Sequence, residues 1–214
     1  MQRALTLTDT AIGKKVVMAL SGAILVGFVI GHFLGNLNLY VGEASMNGYA
    51  DKLHHMPVLL WGTRVLLLIA VTLHIVSAFM LWQRNQRARP VPYKMRKDIA
   101  TTYAARTMYW SGPIILLFVV YHLFQFTFVP ESGNVFANVV HAFSHPAVAA
   151  IYIVANLALG FHLFHGVFSA FQSLGANHPK YNQARHWLAL LITIVVAGGN
   201  ISFPIAVLTG VVHL

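Results

Sequence analysis

The chain has 214 residues, of which 57% are hydrophobic and 9% charged; a soluble domain of this size carries roughly a quarter charged residues, so such a chain covers its surface only by facing lipid. It has no cysteine, which excludes disulfides, iron–sulfur clusters, thiolate ligation and covalently attached c-type haem. The net charge of +9 points toward nucleic acid at first sight. Seven of the fourteen basic residues lie between Arg84 and Arg106, however, so the charge reports membrane topology and no nucleic-acid partner is expected.

Runs of about 20 apolar residues mark helices able to cross a bilayer, and the chain has five. They predict an all-α membrane bundle in one domain, 1–214. The first span, Val16–Tyr40, follows Asp9, Lys14 and Lys15, with no cleavable signal pattern before it. Gly27, Gly31 and Gly35 recur along it at every fourth residue, which suits close helix packing first, although a flat cofactor lying against the stripe would need the same small residues. The second span, Pro57–Gln83, opens on a proline at its first turn, where a helix tolerates one, and carries Arg64 seven residues in. The third is Thr107–Val129. The fourth, Pro146–Ser173, again opens on proline. The fifth, His186–His213, has Pro204 inside it, which predicts a kink.

Charge sets the direction. Arg3, Lys14 and Lys15 precede the first span, the Arg84–Arg106 group separates the second from the third, and Lys180 and Arg185 separate the fourth from the fifth. Lys52, Glu43, Asp51 and Glu131 belong to the other side. The positive-inside rule puts the N-terminus in the cytoplasm and the C-terminus outside.

Twelve histidines are many for such a chain. His54, His55, His141, His145 and His178 read as solvated loop residues. His32, His74, His122, His162 and His165 lie inside spans, where an ionisable group is costly and marks a functional site. His32 and His122 each sit about 12 Å inside the outer end of their helix, at ~1.5 Å per residue. His74 and His162, on helices running the other way, lie nearer the cytoplasmic side. Four histidines on four helices thus resolve into two pairs at two depths, the arrangement needed to grip a b-type haem between imidazoles from facing helices. His165, three residues beyond His162 on the same face, stays open as the alternative ligand. Arg64 falls near the outer pair. A buried arginine needs an anion, no Asp or Glu lies inside any span, and a haem propionate would supply it, with snorkelling to the outer headgroups as the alternative. Asn36, Asn38, Gln125, Asn156, Gln172 and Asn200 offer further hydrogen bonds to propionates, to each other or to a quinone.

Several segments in order carry a family resemblance: Gly13–Gly22, Gly31–Asn36, Asn47–Ala50, Ala88–Tyr93, Arg106–Met108 running into Trp110–Gly112, Tyr121–Leu123, and above all His162-Leu163-Phe164-His165-Gly166 continuing through Ser169–Gly175. Together they resemble the cytochrome b membrane-anchor subunit of succinate:quinone oxidoreductases (succinate dehydrogenase and fumarate reductase), in the bacterial branch with one five-helix anchor and two haems. That resemblance implies two haem b groups, a distal one held by His32 and His122 and a proximal one held by His74 and His162, or His165 in its place. It implies a cytoplasmic flavoprotein and an iron–sulfur subunit docked on the inner face, and quinone as exchangeable substrate. The location it implies is the bacterial cytoplasmic membrane, with a higher oligomer of the whole complex open. An outer quinone site would use Glu43, Asp51, His54 and His55 and suit menaquinone; an inner one would use Tyr103, Arg106 and Ser111. The loop Arg84–Arg106 would serve for docking or for anionic lipid.

Other classes fit less well. A diiron oxygenase needs histidine clusters at one membrane face, whereas His141 and His145 lie outside and His162 and His165 toward the inner half. A transporter with histidine relays lacks the internal repeat expected of many such folds. A dihaem cytochrome linked to hydrogenase or to ferric acceptors shares the haem logic and is the nearest alternative.

Overall fold

The computed structural model describes residues 10–88 and 102–214. Arg3 and the stretch from Arg89 to Lys97, which holds part of the expected docking loop, lie outside the described residues. The protein is an all-α bundle with five helical runs long and apolar enough to cross a membrane, Ala11–Val41, Pro57–Ala88, Tyr103–Phe128, Pro146–Ser173 and Pro179–Leu208.

In chain order the helices are α1 (Ala11–Asn36), α2 (Asn38–Val41), α3 (Glu43–His54), α4 (Pro57–Ala88), α5 (Tyr103–Leu123), α6 (Val135–Ser144), α7 (Pro146–Ser173), α8 (Asn182–Thr193) and α9 (Gly199–Leu208). The polar residues flanking the apolar runs set their ends. Thr10 caps α1 by accepting from the Gly13 amide at 2.9 Å, and Thr102 caps α5 by accepting from Ala105 at 3.2 Å. Both helices therefore start before their apolar runs do. The last span stops at Leu208, short of His213. Gly210 takes a left-handed φ of 74°, and the Val211 amide turns back to the Ala206 carbonyl at 2.9 Å.

Two π-turns interrupt the spans. Phe124–Phe128 continues α5, with the Val129 amide reaching Phe124 at 3.0 Å, and Ile194–Gly198 joins α8 to α9. Pro204 lies within α9 and is among the most deeply buried side chains.

His54 and His141 are not in loops, whereas His55 and His145 stand just past the ends of their helices. Glu43–His54 and Val135–Ser144 form two short helices, α3 and α6, that meet across the end of the bundle away from Lys14 and Arg106. The sequence reading missed them because neither is long enough to register as a span. Polar side chains lock them together. Asn134 caps α6 through Ala137 at 2.9 Å and also donates to Glu43, while Asn47 donates to Asn134 at 2.9 Å and accepts from the Phe136 amide at 3.1 Å. Beneath them lies the main core, where Phe33, Met46, Phe136, Phe143, Tyr152 and Phe203 converge.

Packing divides the spans into two sets. α4 lies along α1. α5 lies along α7, and α8 and α9 lean on the other side of α7. α1 and α7 join the sets, but α4 shares no extended face with α5 or α7, nor α1 with α5. α4 and α5 consequently bury few of their own side chains, three and two respectively.

Candidate functional site

The first histidine pair bridges α4 and α7. The His74 and His162 ring centroids are 6.1 Å apart with planes at 60°. His74 reaches this position because Gly22 on α1 has no side chain; a Cβ there would stand 3.2 Å from the imidazole. The close approach brings His74 Nδ1 to 3.1 Å from the Met18 carbonyl oxygen. A carbonyl only accepts, so Nδ1 carries the proton and Nε2 keeps its lone pair. Ser111, buried on α5, holds Nδ1 of His162 at 3.3 Å. His165 is half-buried one turn along α7, and the ring that faces His74 is that of His162.

The second pair bridges α1 and α5. His32 and His122 have centroids 5.7 Å apart and planes at 83°. His32 stacks on Phe28, one turn earlier, at 5.5 Å. His122 Nδ1 lies 3.2 Å from the Tyr152 hydroxyl, which donates to Gln125 Oε1 at 2.9 Å. With its own proton committed to Gln125, that hydroxyl accepts from Nδ1–H, and Nε2 of His122 is again left bare.

These pairs fit haem. An imidazole nitrogen sits about 2 Å from a metal it ligates, so two imidazoles in line across one iron have ring centres roughly 6 Å apart, as both pairs do. The pairs join helices that share no packed face, α4 with α7 and α1 with α5, as a plate-like group between the helices requires. Three of the four imidazoles have Nδ1 engaged from behind, the usual support of a metal-binding histidine. Among the described residues, no three His, Asp or Glu side chains converge, so the grouping in twos suits a metal that brings its own equatorial ligands. The ten residues from Gly22 to His32 along α1 put the two levels about 15 Å apart.

The remaining candidate residues are scattered. Arg64 is exposed on α4 with its guanidinium 4.8 Å over the Trp61 ring. The antiparallel register set by His74 against Met18 and Gly22 brings Arg64 near the height of His32. Glu43 is engaged by Asn134 in the α3–α6 latch. His54 and His55 turn Nδ1 to backbone carbonyls one turn back, at 2.9 and 2.8 Å, and with Asp51 stand exposed at the end of α3. Tyr103 meets Phe161 edge-on at 5.6 Å, and the Arg106 guanidinium lies 5.7 Å from its ring. Ser111 is apart from them, on His162. Of the other polar residues, Asn38 donates to the Gly35 carbonyl at 2.7 Å and Asn156 to that of Tyr152 at 2.9 Å, so both serve the backbone.

Sequence reasoning missed Tyr152 and the Met18 carbonyl. A phenol inside an apolar span was the available signal for Tyr152. A backbone acceptor leaves no mark on sequence.

An all-α, multi-pass protein with five membrane-length helices whose intramembrane histidines meet in two cross-helix pairs belongs among integral membrane helical bundles. Residues 83–198 match the family described as succinate dehydrogenase/fumarate reductase transmembrane subunit, and the chain belongs to that family. It is therefore the membrane anchor subunit of an oxidoreductase complex. No curated protein and no solved structure gives a significant match. The matched region holds His122, Tyr152, His162 and His165, while His32 and His74 precede it and join their partners through the fold.

Proposed function

We propose that this chain is the dihaem cytochrome b anchor that docks the flavoprotein and iron–sulfur subunits on the cytoplasmic face and passes electrons between them and membrane quinone. The observation that carries the reading is the pair of facing imidazole couples, His74 with His162 and His32 with His122, at two levels of one bundle. Bound haem supplies a one-electron couple at each level. The chain's own residues do the rest. His74 and His162 would hold the inner group and His32 and His122 the outer one; Met18 and Tyr152 fix the tautomers that expose Nε2 of His74 and His122, and Ser111 holds His162 from behind through Nδ1. Arg64, at the outer level, is suited to an outer propionate. His162 is preferred to His165 because its ring is the one facing His74.

The orientation proposed has the N-terminus inside. Lys14, Lys15, Arg84, Arg87, Arg106, Lys180 and Arg185 all stand at one end of the spans, and Glu43, Asp51 and Glu131 at the other. Quinone is proposed at the inner end beside Tyr103 and Arg106, on the side of the docked subunits, rather than at Glu43, which the outer latch already engages. The bacterial cytoplasmic membrane is the proposed location.

The test is a redox-difference spectrum of the complex purified from its native membrane, with haem counted per polypeptide. Two haem b per anchor, copurifying with a flavoprotein, are expected. An anchor free of porphyrin overturns the reading.

A further inference from the structure

Tyr152 is more than a core aromatic. Its ring is fixed without its hydroxyl: Phe143 and Phe118 meet it edge-on at 4.8 and 4.9 Å, and the residue is 6% exposed. The hydroxyl makes two directed contacts, accepting from His122 Nδ1 at 3.2 Å and donating to Gln125 Oε1 at 2.9 Å. Gln125 stands in the π-turn that opens two residues after His122. Such turns are uncommon and recur at functional sites. Among the four facing imidazoles, His122 is the one backed by a phenol whose proton is committed elsewhere. His74 has a backbone carbonyl, His162 a serine, and His32 an aromatic face.

We infer that Tyr152, oriented by Gln125, is a positioning residue for the outer haem, holding His122 with its proton on Nδ1 and strengthening Nε2 as a donor to iron. This inference rests on the haem reading above. The physical chain is short. A donated hydrogen bond pulls the Nδ1 proton away from the ring and raises the basicity of the opposite nitrogen. The Tyr152–Gln125 bond makes the phenol oxygen a better acceptor, so the two bonds reinforce each other. A more basic axial nitrogen favours ferric over ferrous iron, which lowers the reduction potential of that haem alone.

The experiment is a potentiometric titration of the whole complex carrying Tyr152→Phe, which removes the hydroxyl and keeps the ring packing. Both haems are retained, and the outer haem, identified as the one that His122→Ala removes, moves upward. A tenfold change in ferric preference is expected, which for one electron is about 59 mV; its low-spin ferric resonance shifts as well, while the inner haem does not move. Gln125→Leu shifts the same haem in the same direction and by less, and it decides the matter if Tyr152→Phe does not assemble. Two retained haems with unmoved potentials in both variants overturn the inference and leave the haem reading standing. A shift confined to the haem that His74→Ala removes also overturns it. A wild-type complex without haem overturns the haem reading itself.

Discussion

An imidazole ligates a metal through Nε2 only while its proton sits on Nδ1, so the atom behind each ring matters as much as the ring. Met18, Ser111 and Tyr152 occupy those positions for His74, His162 and His122. Replacing His32 or His122 with alanine is expected to remove one haem and spare the other, read by difference spectroscopy; loss of both from either change would mean the pairing is wrong. Gly22 supplies a finer test. With 3.2 Å between its absent Cβ and His74, Gly22→Ala is tolerated after a shift of a few tenths of an ångström, whereas Gly22→Val drives the ring away and costs the inner haem. Equal haem content in Gly22→Val and wild type would argue against His74 as a ligand. The histidines themselves were legible in the sequence, because an ionisable group at mid-span stands out against apolar neighbours. Their supports were not, since a carbonyl and a small residue look the same wherever they occur.

At the scale of elements, the two π-turns and the outer helices do work that apolar run length does not register. The turn Ile194–Gly198 delivers Gly199 against the Phe33 ring, where a Cβ would overlap the aromatic carbons. Gly199→Ala is therefore expected to destabilise by about 1–3 kcal/mol, the usual penalty for overpacking, and Phe33→Leu in the same chain to restore part of it; thermal unfolding in detergent measures both. At the end where α3 meets α6, Asn134 is cap, latch and acceptor at once. Asn134→Ala should lower stability by about 1–2 kcal/mol, the size of a lost cap with its companion bonds, and speed hydrogen exchange in α3 and α6 before the spans. Uniform exchange across the chain would show that the latch is not a local unit. The spans could be anticipated from their apolar runs. Their ends could not, because Thr10, Thr102 and Gly210 act through single hydrogen bonds and one left-handed residue. α3 and α6 were read as loops because twelve and ten residues are too few to register as a span, whether polar, as in α3, or apolar, as in α6.

For the molecule as a whole, the unusual feature is that α4 shares no extended face with α5 or α7, nor α1 with α5. α4 holds to α1 and α5 to α7, and histidines reach across between the sets. The proposed direction across the membrane is open to a clean test, since the chain has no cysteine of its own. A single cysteine placed at Ser132 is expected to react with a membrane-impermeant maleimide in intact cells, and one at Asn177 only after the membrane is opened; the reverse pattern inverts the topology. Composition and apolar run length alone determined that this chain is an all-α bundle of five spans, because lipid leaves a backbone few ways to satisfy its hydrogen bonds, and the positions of the basic residues between the runs showed that most of the positive charge gathers at one end. The family was legible too, through the order of its motifs. That His162 rather than His165 faces His74, what stands behind each ring, and that Ser111 belongs to His162 were decided only in three dimensions. Those relations join residues 30 to 90 positions apart on separate helices, and the rotation and register of packed helices follow from side-chain contacts that linear spacing does not encode.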